Sequence, residues 1–146
     1  MIHSNSAIEI ALRIATKAHE GQIDRGGRPY IEHPKTVAAF CSSPLEKVVA
    51  LLHDVIEDTG VSQQDLKDAG IPDEAIQAIV TMTHGEGESY DDYIDRVKAV
   101  PLARIVKLAD LKHNQDVSRI PNPDESDLAR LEKYRRAEKT LQEAAR

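Results

Sequence analysis

The chain has 146 residues, a net charge of −6, a single cysteine and no tryptophan. That length suits one compact domain built on one core. The acidic balance argues against a duplex nucleic-acid footprint, and the few aromatic rings (Tyr30, Phe40, Tyr90, Tyr93, Tyr134) are too sparse for a single-strand stacking platform.

The periodicity predicts helices almost throughout. The first spans about Ser6–His19, with Ser4 or Ser6 as cap and Ile8, Leu12, Ala15 and Ala18 facing inward. Gly21, Gly26, Gly27 and Pro29 then mark a loop. A second helix begins near Pro34, a residue suited to a first helical position, and runs to about Cys41. Ser43-Pro44 opens a third, apolar on most sides, which is expected to be the central helix and to run unbroken to Thr59-Gly60.

Ser62-Gln63-Gln64-Asp65 resembles a capping box with Asp in place of Glu, and Gly70 stops the short helix it starts. Pro72-Asp73-Glu74 opens the next, with Ile76, Ile79, Val80 and Met82 inward. Ser89–Val97 and Pro101–Asn114 follow, and Pro121–Pro123 breaks the chain again. The last helix, about Glu125–Ala144, carries Leu128, Leu131, Tyr134 and Leu141 on one stripe. That stripe suits packing on its own domain, although a homo-oligomer face stays open. No alternating strand pattern competes, so the expected fold class is all-α, a single domain of about seven to nine helices. Cys41 reads as a small core residue in a reduced, cytoplasmic chain. No apolar run nears the ~20 residues of a membrane span, and the polar N-terminus does not read as a signal peptide.

The chemistry concentrates in Leu51-Leu52-His53-Asp54-Val55-Ile56-Glu57-Asp58-Thr59. One imidazole and three carboxylates stand in an otherwise apolar segment. Desolvating that much charge is costly unless a cation compensates it. His33, at the start of the second helix, and Asp110, in the apolar Ile105–Leu111 stretch, complete a set of two imidazoles and two carboxylates with His53 and Asp54. Such a set suits Mn²⁺, Fe²⁺ or a zinc ion with open positions. Taken singly, each has a plainer explanation: His33 as a cap or core histidine, Asp110 as the buried partner of Lys107 or Lys112. Their conjunction, with Glu57-Asp58 one turn on and Asn114 four residues after Asp110, is hard to explain as packing. His19 reads as a structural hydrogen-bonder, His84 and His113 as cleft candidates of low weight, and His3 as solvated. Tyr90 and Tyr93 read as packing residues.

Four segments occur in order: His19-Glu20-Gly21-Gln22, Pro29-Tyr30-Ile31-Glu32-His33-Pro34, the His53 run, and Val106-Lys107-Leu108-Ala109-Asp110-Leu111-Lys112-His113-Asn114. Together they resemble the hydrolase domain of the RelA/SpoT homologues, within the HD superfamily of metal-dependent phosphohydrolases. The resemblance covers about residues 8–114, with the C-terminal helix at 125–144 beyond it, and length and motif content resemble the small stand-alone members. It implies Mn²⁺, or another divalent metal, on His33, His53, Asp54 and Asp110. It implies that Glu57 and Asp58 position and activate the attacking water, and that Asn114 contacts the nucleotide. The implied reaction removes pyrophosphate from the 3′ position of guanosine tetra- or pentaphosphate. Basic residues must hold the diphosphates, with Arg25, Arg28, Lys107 and Lys112 as candidates.

The chain departs from the family pattern at two base-reading positions. Asp24 stands where a basic residue is usual, although Arg25 follows it, and Val117 stands where a small hydroxyl residue is common. These departures keep open the same chemistry on another phosphorylated nucleotide, such as a 3′-phosphorylated adenine compound; a non-catalytic nucleotide-binding module is the other alternative, and it would need the site to have decayed although no catalytic residue is missing.

Overall fold

The computed structural model describes residues 4–144. Among them the helices are α1 (Ser4–Ala18), α2 (Glu32–Ala39), α3 (Pro44–Leu52), α4 (Val55–Asp58), α5 (Gln63–Asp68), α6 (Asp73–Met82), α7 (Tyr90–Lys98), α8 (Pro101–Asn114) and α9 (Glu125–Ala144), with a 3-10 turn at Val117–Arg119. No strand forms among the described residues; Ile23 and Pro29 make an isolated bridge that pinches the loop between α1 and α2. The all-α expectation holds.

α3 is the hub. Val48 to Leu52 are all buried, and α1, α2, α6 and α8 pack around it. Its start is locally encoded: Ser43 accepts from the Glu46 amide, the Glu46 carboxylate accepts from the Ser43 amide, and Pro44 occupies the first turn. The Ser62–Asp65 capping box forms as expected. Ser89 caps α7 by accepting from the Asp92 amide.

Four expectations need correction. The third helix is not continuous, because the chain turns at His53-Asp54 and resumes as α4. An apolar run carries no mark of such a break, whereas the break lets the side chains of His53 and Asp54 aim at one point. Pro34 is the third residue of α2 rather than the first. Its missing N–H costs nothing there, since first-turn amides have no partner within the helix. Leu12 is exposed, and α1 meets α3 through Ala7, Ala11 and Ala15, whose small side chains allow close approach. Leu128 is likewise exposed; α9 buries Ala137, Leu141 and the carboxylate of Asp127 instead. Cys41 is buried as expected, and burial pushes its thiol up to about 11.

Candidate metal centre and adjoining cavity

Four elements deliver the candidate ligands. The start of α2 brings His33, the α3–α4 break brings His53 and Asp54, and α8 brings Asp110. His33 Nε2 lies 2.8 Å and His53 Nε2 3.1 Å from the same Asp110 oxygen, Oδ1. Asp54 Oδ2 lies 3.1 Å from His53 Nε2 and 4.0 Å from His33 Nε2. His33, His53 and Asp110 are buried and Asp54 is nearly so. Side chains from positions far apart in the chain thus converge.

The proton positions make the case for a cation. His53 Nδ1 lies 2.6 Å from the Ala50 carbonyl oxygen, which can only accept. Nδ1 therefore carries the proton, and Nε2 faces two carboxylates either as an imidazolium or as a lone pair on a metal. Burial alone would push the His53 pKa down; Asp54 first and then Asp110 hold it well above its ordinary value instead. Asp110 behaves in mirror image. Burial would raise its pKa, but the Lys107 ammonium and then His53 hold it well below the usual carboxylate range. Asp54, which burial would raise, is drawn down to about 2, chiefly by His53. A divalent ion would take the place of the proton that His53 Nε2 otherwise holds between the two carboxylates, and it suits this set of two imidazoles and two carboxylates.

A second layer holds the ligands. Lys107 donates to Asp110 Oδ2 at 2.9 Å and Asn114 donates to Oδ1 at 3.2 Å. Tyr30 donates to Asp54 Oδ2 at 2.5 Å. His113 Nδ1 lies 2.7 Å from His33 Nδ1 with the rings stacked 5.0 Å apart. Burial first, then Arg119, pushes the His113 pKa down to about 4, so this ring is neutral near pH 7. It can therefore accept from His33 Nδ1–H, which leaves His33 Nε2 free as a donor to a metal. Neither Tyr30 nor His113 stood out as a holder of ligands. Tyr30 sits three residues before His33, and His113 three after Asp110, a spacing that carries meaning only once the partner ligand is placed.

A cavity of about 390 Å³ opens beside the cluster, lined by His33, His53, Asp54, Asp110 and, on its outer side, Glu57 and Asp58. Glu57 accepts from the His84 amide at 2.6 Å, which ties α4 to the end of α6. The Asp58 carboxyl is raised by burial, then by Asp54 and Glu57. Asn114 and Tyr30 line both this cavity and a smaller neighbour of about 190 Å³ that holds Asp24, Arg25, Gly26, Arg119 and Arg130. His84 lines the larger cavity and meets the Glu88 carbonyl at 2.6 Å. His19 meets Gln22 Oε1 at 2.9 Å, as a structural hydrogen-bonder should. His3 lies outside the described residues.

The basic candidates separate. Lys107 is buried against Asp110, so the plainer explanation of Asp110 and the ligand role coexist. Arg25 lines the smaller cavity but forks onto Asp127, with bonds of 3.0 Å from Nε and from Nη2, and reaches Asp124 at 2.9 Å. Lys112 stands over the Phe40 ring at 4.3 Å. Arg28 is exposed, and its amide donates to Asp24. Asp24 itself is a loop organiser: its Oδ1 accepts from the Gly26 and Arg28 amides at 2.9 Å, and its Oδ2 faces Arg119 at 3.5 Å. Gly26 must be glycine here, since a Cβ would lie 2.0 Å from the Arg119 carbonyl oxygen.

No family model matches the chain. A Mycobacterium leprae protein described as a probable GTP pyrophosphokinase is 30% identical over 132 residues, covering 82% of this chain and 17% of the relative. A Haemophilus influenzae guanosine-3′,5′-bis(diphosphate) 3′-pyrophosphohydrolase is 49% identical over 59 residues, 38% of this chain and 9% of that one. The Escherichia coli bifunctional (p)ppGpp synthase/hydrolase SpoT is 44% identical over 61 residues, 39% of this chain and 9% of its own. The chain thus spans less than a fifth of the length of these relatives. Among solved structures, a metazoan ortholog of SpoT that hydrolyses ppGpp matches with a TM-score of 0.77 at 20% identity, covering 97% of this chain and 88% of that one. No helix among the described residues is long and apolar enough to cross a membrane. By sequence the chain is similar to part of several RelA/SpoT proteins, and its helices share the fold of a metazoan SpoT ortholog.

Proposed function

We propose that this chain is a Mn²⁺-dependent phosphohydrolase that removes pyrophosphate from the 3′ position of guanosine tetra- or pentaphosphate. The observation that carries the reading is the convergence of His33, His53, Asp54 and Asp110 beside a cavity that Glu57 and Asp58 also line. Its hydrolase-named relatives support the substrate class. The hydrolase unit is a single HD-type domain, with the motif-bearing residues 8–114 completed by α9. The buried, unpaired Cys41 suits a reduced, cytoplasmic setting.

The bond between the ribose 3′-oxygen and its phosphorus breaks, and a water oxygen joins that phosphorus. His33, His53, Asp54 and Asp110 would hold the Mn²⁺, which when bound would supply Lewis-acid polarisation of a phosphoryl oxygen and a more acidic water. Asp58 receives the water proton, and its raised pKa brings it nearer the operating pH than an ordinary aspartate. Glu57, fixed by the His84 amide, orients the water. The proton returns to the 3′-oxygen as the leaving group departs, which balances the reaction. Lys107 and Asn114 keep Asp110 aimed, and the Asn114 amide borders the nucleotide. Arg25 braces the loop beside the base.

Purified protein with Mn²⁺ should release pyrophosphate from guanosine tetraphosphate, and Asp54→Ala should abolish release by more than about a thousandfold. Full activity in Asp54→Ala sinks the ligand assignment. One observation favours a second substrate: Asp24 offers a carboxylate beside the smaller cavity where the family carries a cation. Its oxygens are held by the Gly26 and Arg28 amides and by Arg119, so it is the missing cation that motivates the alternative, and a panel that includes 3′-phosphorylated adenine nucleotides decides which base is preferred.

A further inference from the structure

A polyanionic substrate needs a cation that is not already neutralised. Most basic side chains lining the two cavities are committed. Arg25 and Arg130 both pair with Asp127. Arg119 donates to the His113 carbonyl at 2.9 Å and faces Asp24. Lys107 is locked to Asp110 at 2.9 Å.

Lys133, on α9, is different. It lines the larger cavity together with the metal-ligand cluster. Among the described residues it makes no ion pair and no hydrogen bond, although Asp54, Glu57, Asp58 and Asp110 line the same cavity. Its ammonium instead rests 4.5 Å from the Tyr90 ring centroid and 5.6 Å from that of Tyr134. Those rings hold the amine over the cavity by cation–π attraction without consuming its charge. Burial first, then Arg130 and Lys107, depresses its pKa. Desolvation and like-charge neighbours are both relieved when an anion arrives.

We propose that Lys133 is the side chain that takes up the phosphate charge of the substrate, acting as a point-charge anchor in the cavity that the four ligands also line. The inference rests on the hydrolase reading only for the identity of the nucleotide; anchoring of a diphosphate does not require turnover. Tyr90 and Tyr134 set where the ammonium stands, and Tyr90 thereby gains a place in the site beyond packing.

The probe is inorganic pyrophosphate, titrated calorimetrically into the full chain with equimolar Mn²⁺. Lys133→Met keeps the stem over Tyr90 and removes the charge; it should weaken binding by roughly ten- to a hundredfold. Lys133→Arg should restore binding to within about fivefold of the parent. In turnover the Met variant should raise KM by more than it lowers kcat. If Lys133→Met fails to fold, the Lys133 ¹³Cε resonance of the parent is followed instead and should shift on adding pyrophosphate. Unchanged pyrophosphate affinity in the Met variant, a silent resonance, or no pyrophosphate binding by the parent overturns the proposal. Lys133-dependent pyrophosphate binding without hydrolysis of guanosine tetraphosphate overturns the hydrolase reading and leaves this one standing.

Discussion

Two charge clusters lie within one side of this molecule, and they differ in whether they are complete. Around Asp127, Arg25 and Arg130 supply two guanidinium groups to one buried carboxylate, and the Asp124 amide adds a further bond. Hydrogen bonds from Arg25 chiefly hold the Asp127 pKa well below the usual range. Nothing is left over to bind. Around Asp110, donors and acceptors also meet, but His33 and His53 aim their Nε2 atoms at one carboxylate oxygen. That arrangement needs a proton or a cation between nitrogen and oxygen. Density of charge does not identify a site; an unbalanced remainder does.

The comparison can be broken in several ways. The largest effect is expected at the incomplete cluster. Asp58→Asn should cost about a hundred- to ten-thousandfold in turnover, measured as pyrophosphate release. The base acts when deprotonated, so the parent's rate should fall as pH drops, with a midpoint above the ordinary 3.8 because burial raises this carboxyl. A pH profile in Asp58→Asn that keeps the same acid limb would assign the limb to another group.

The second layer should matter less. His113→Phe removes the ring nitrogen facing His33 and should weaken divalent-metal binding by about ten- to a hundredfold. Calorimetric titration with Mn²⁺ reads this directly, and unchanged affinity would remove His113 from the site.

At the complete cluster the expected order reverses. Asp127→Asn should lower the melting temperature by several degrees while turnover stays within about threefold, since two arginines lose their shared carboxylate. A collapse of turnover at unchanged melting temperature would erase the distinction between the clusters. The smallest effect is at Tyr90, whose buried hydroxyl has no hydrogen-bond partner. Tyr90→Phe should leave stability within about 1 kcal/mol of the parent in denaturant melts, because no bond is lost. A loss above about 2 kcal/mol would reveal a partner.

Local signals in the chain were read well and distant ones poorly. The box at Ser62 closes within four residues, so sequence alone shows it, whereas at Ser43 the sequence marks the helix start and the structure adds the box with Glu46. His33, His53, Asp54 and Asp110 were legible because charge in apolar helices is conspicuous. The break at His53-Asp54 was hidden, since Leu51, Leu52, Val55 and Ile56 read as one apolar run. Leu12 and Leu128 are large yet exposed; alanines and one charged residue occupy those interfaces instead, and side-chain size alone does not mark depth. Arg25 looked like a free cation because its partner Asp127 stands 102 positions away. Glu57 and Asp58 were legible as residues, but only the turn of α4 shows why they sit outside the buried ligands.

The pinched loop after α1 has a consequence for how the molecule assembles. Gly26 seats against the Arg119 carbonyl, and Arg25 crosses to Asp127, 102 positions away in the chain. Helices α1, α2 and α3 are near neighbours in sequence and can dock early, whereas the loop between α1 and α2 gains its contacts with Arg119 and Asp127 only once those later segments are made. Such long-separation contacts carry a large closure entropy and set a slow step. During synthesis the ribosome must release α9 before the rim of the smaller cavity takes shape. A nascent chain halted at α8 would hold His33, His53, Asp54 and Asp110 and still lack the α9 wall of both cavities.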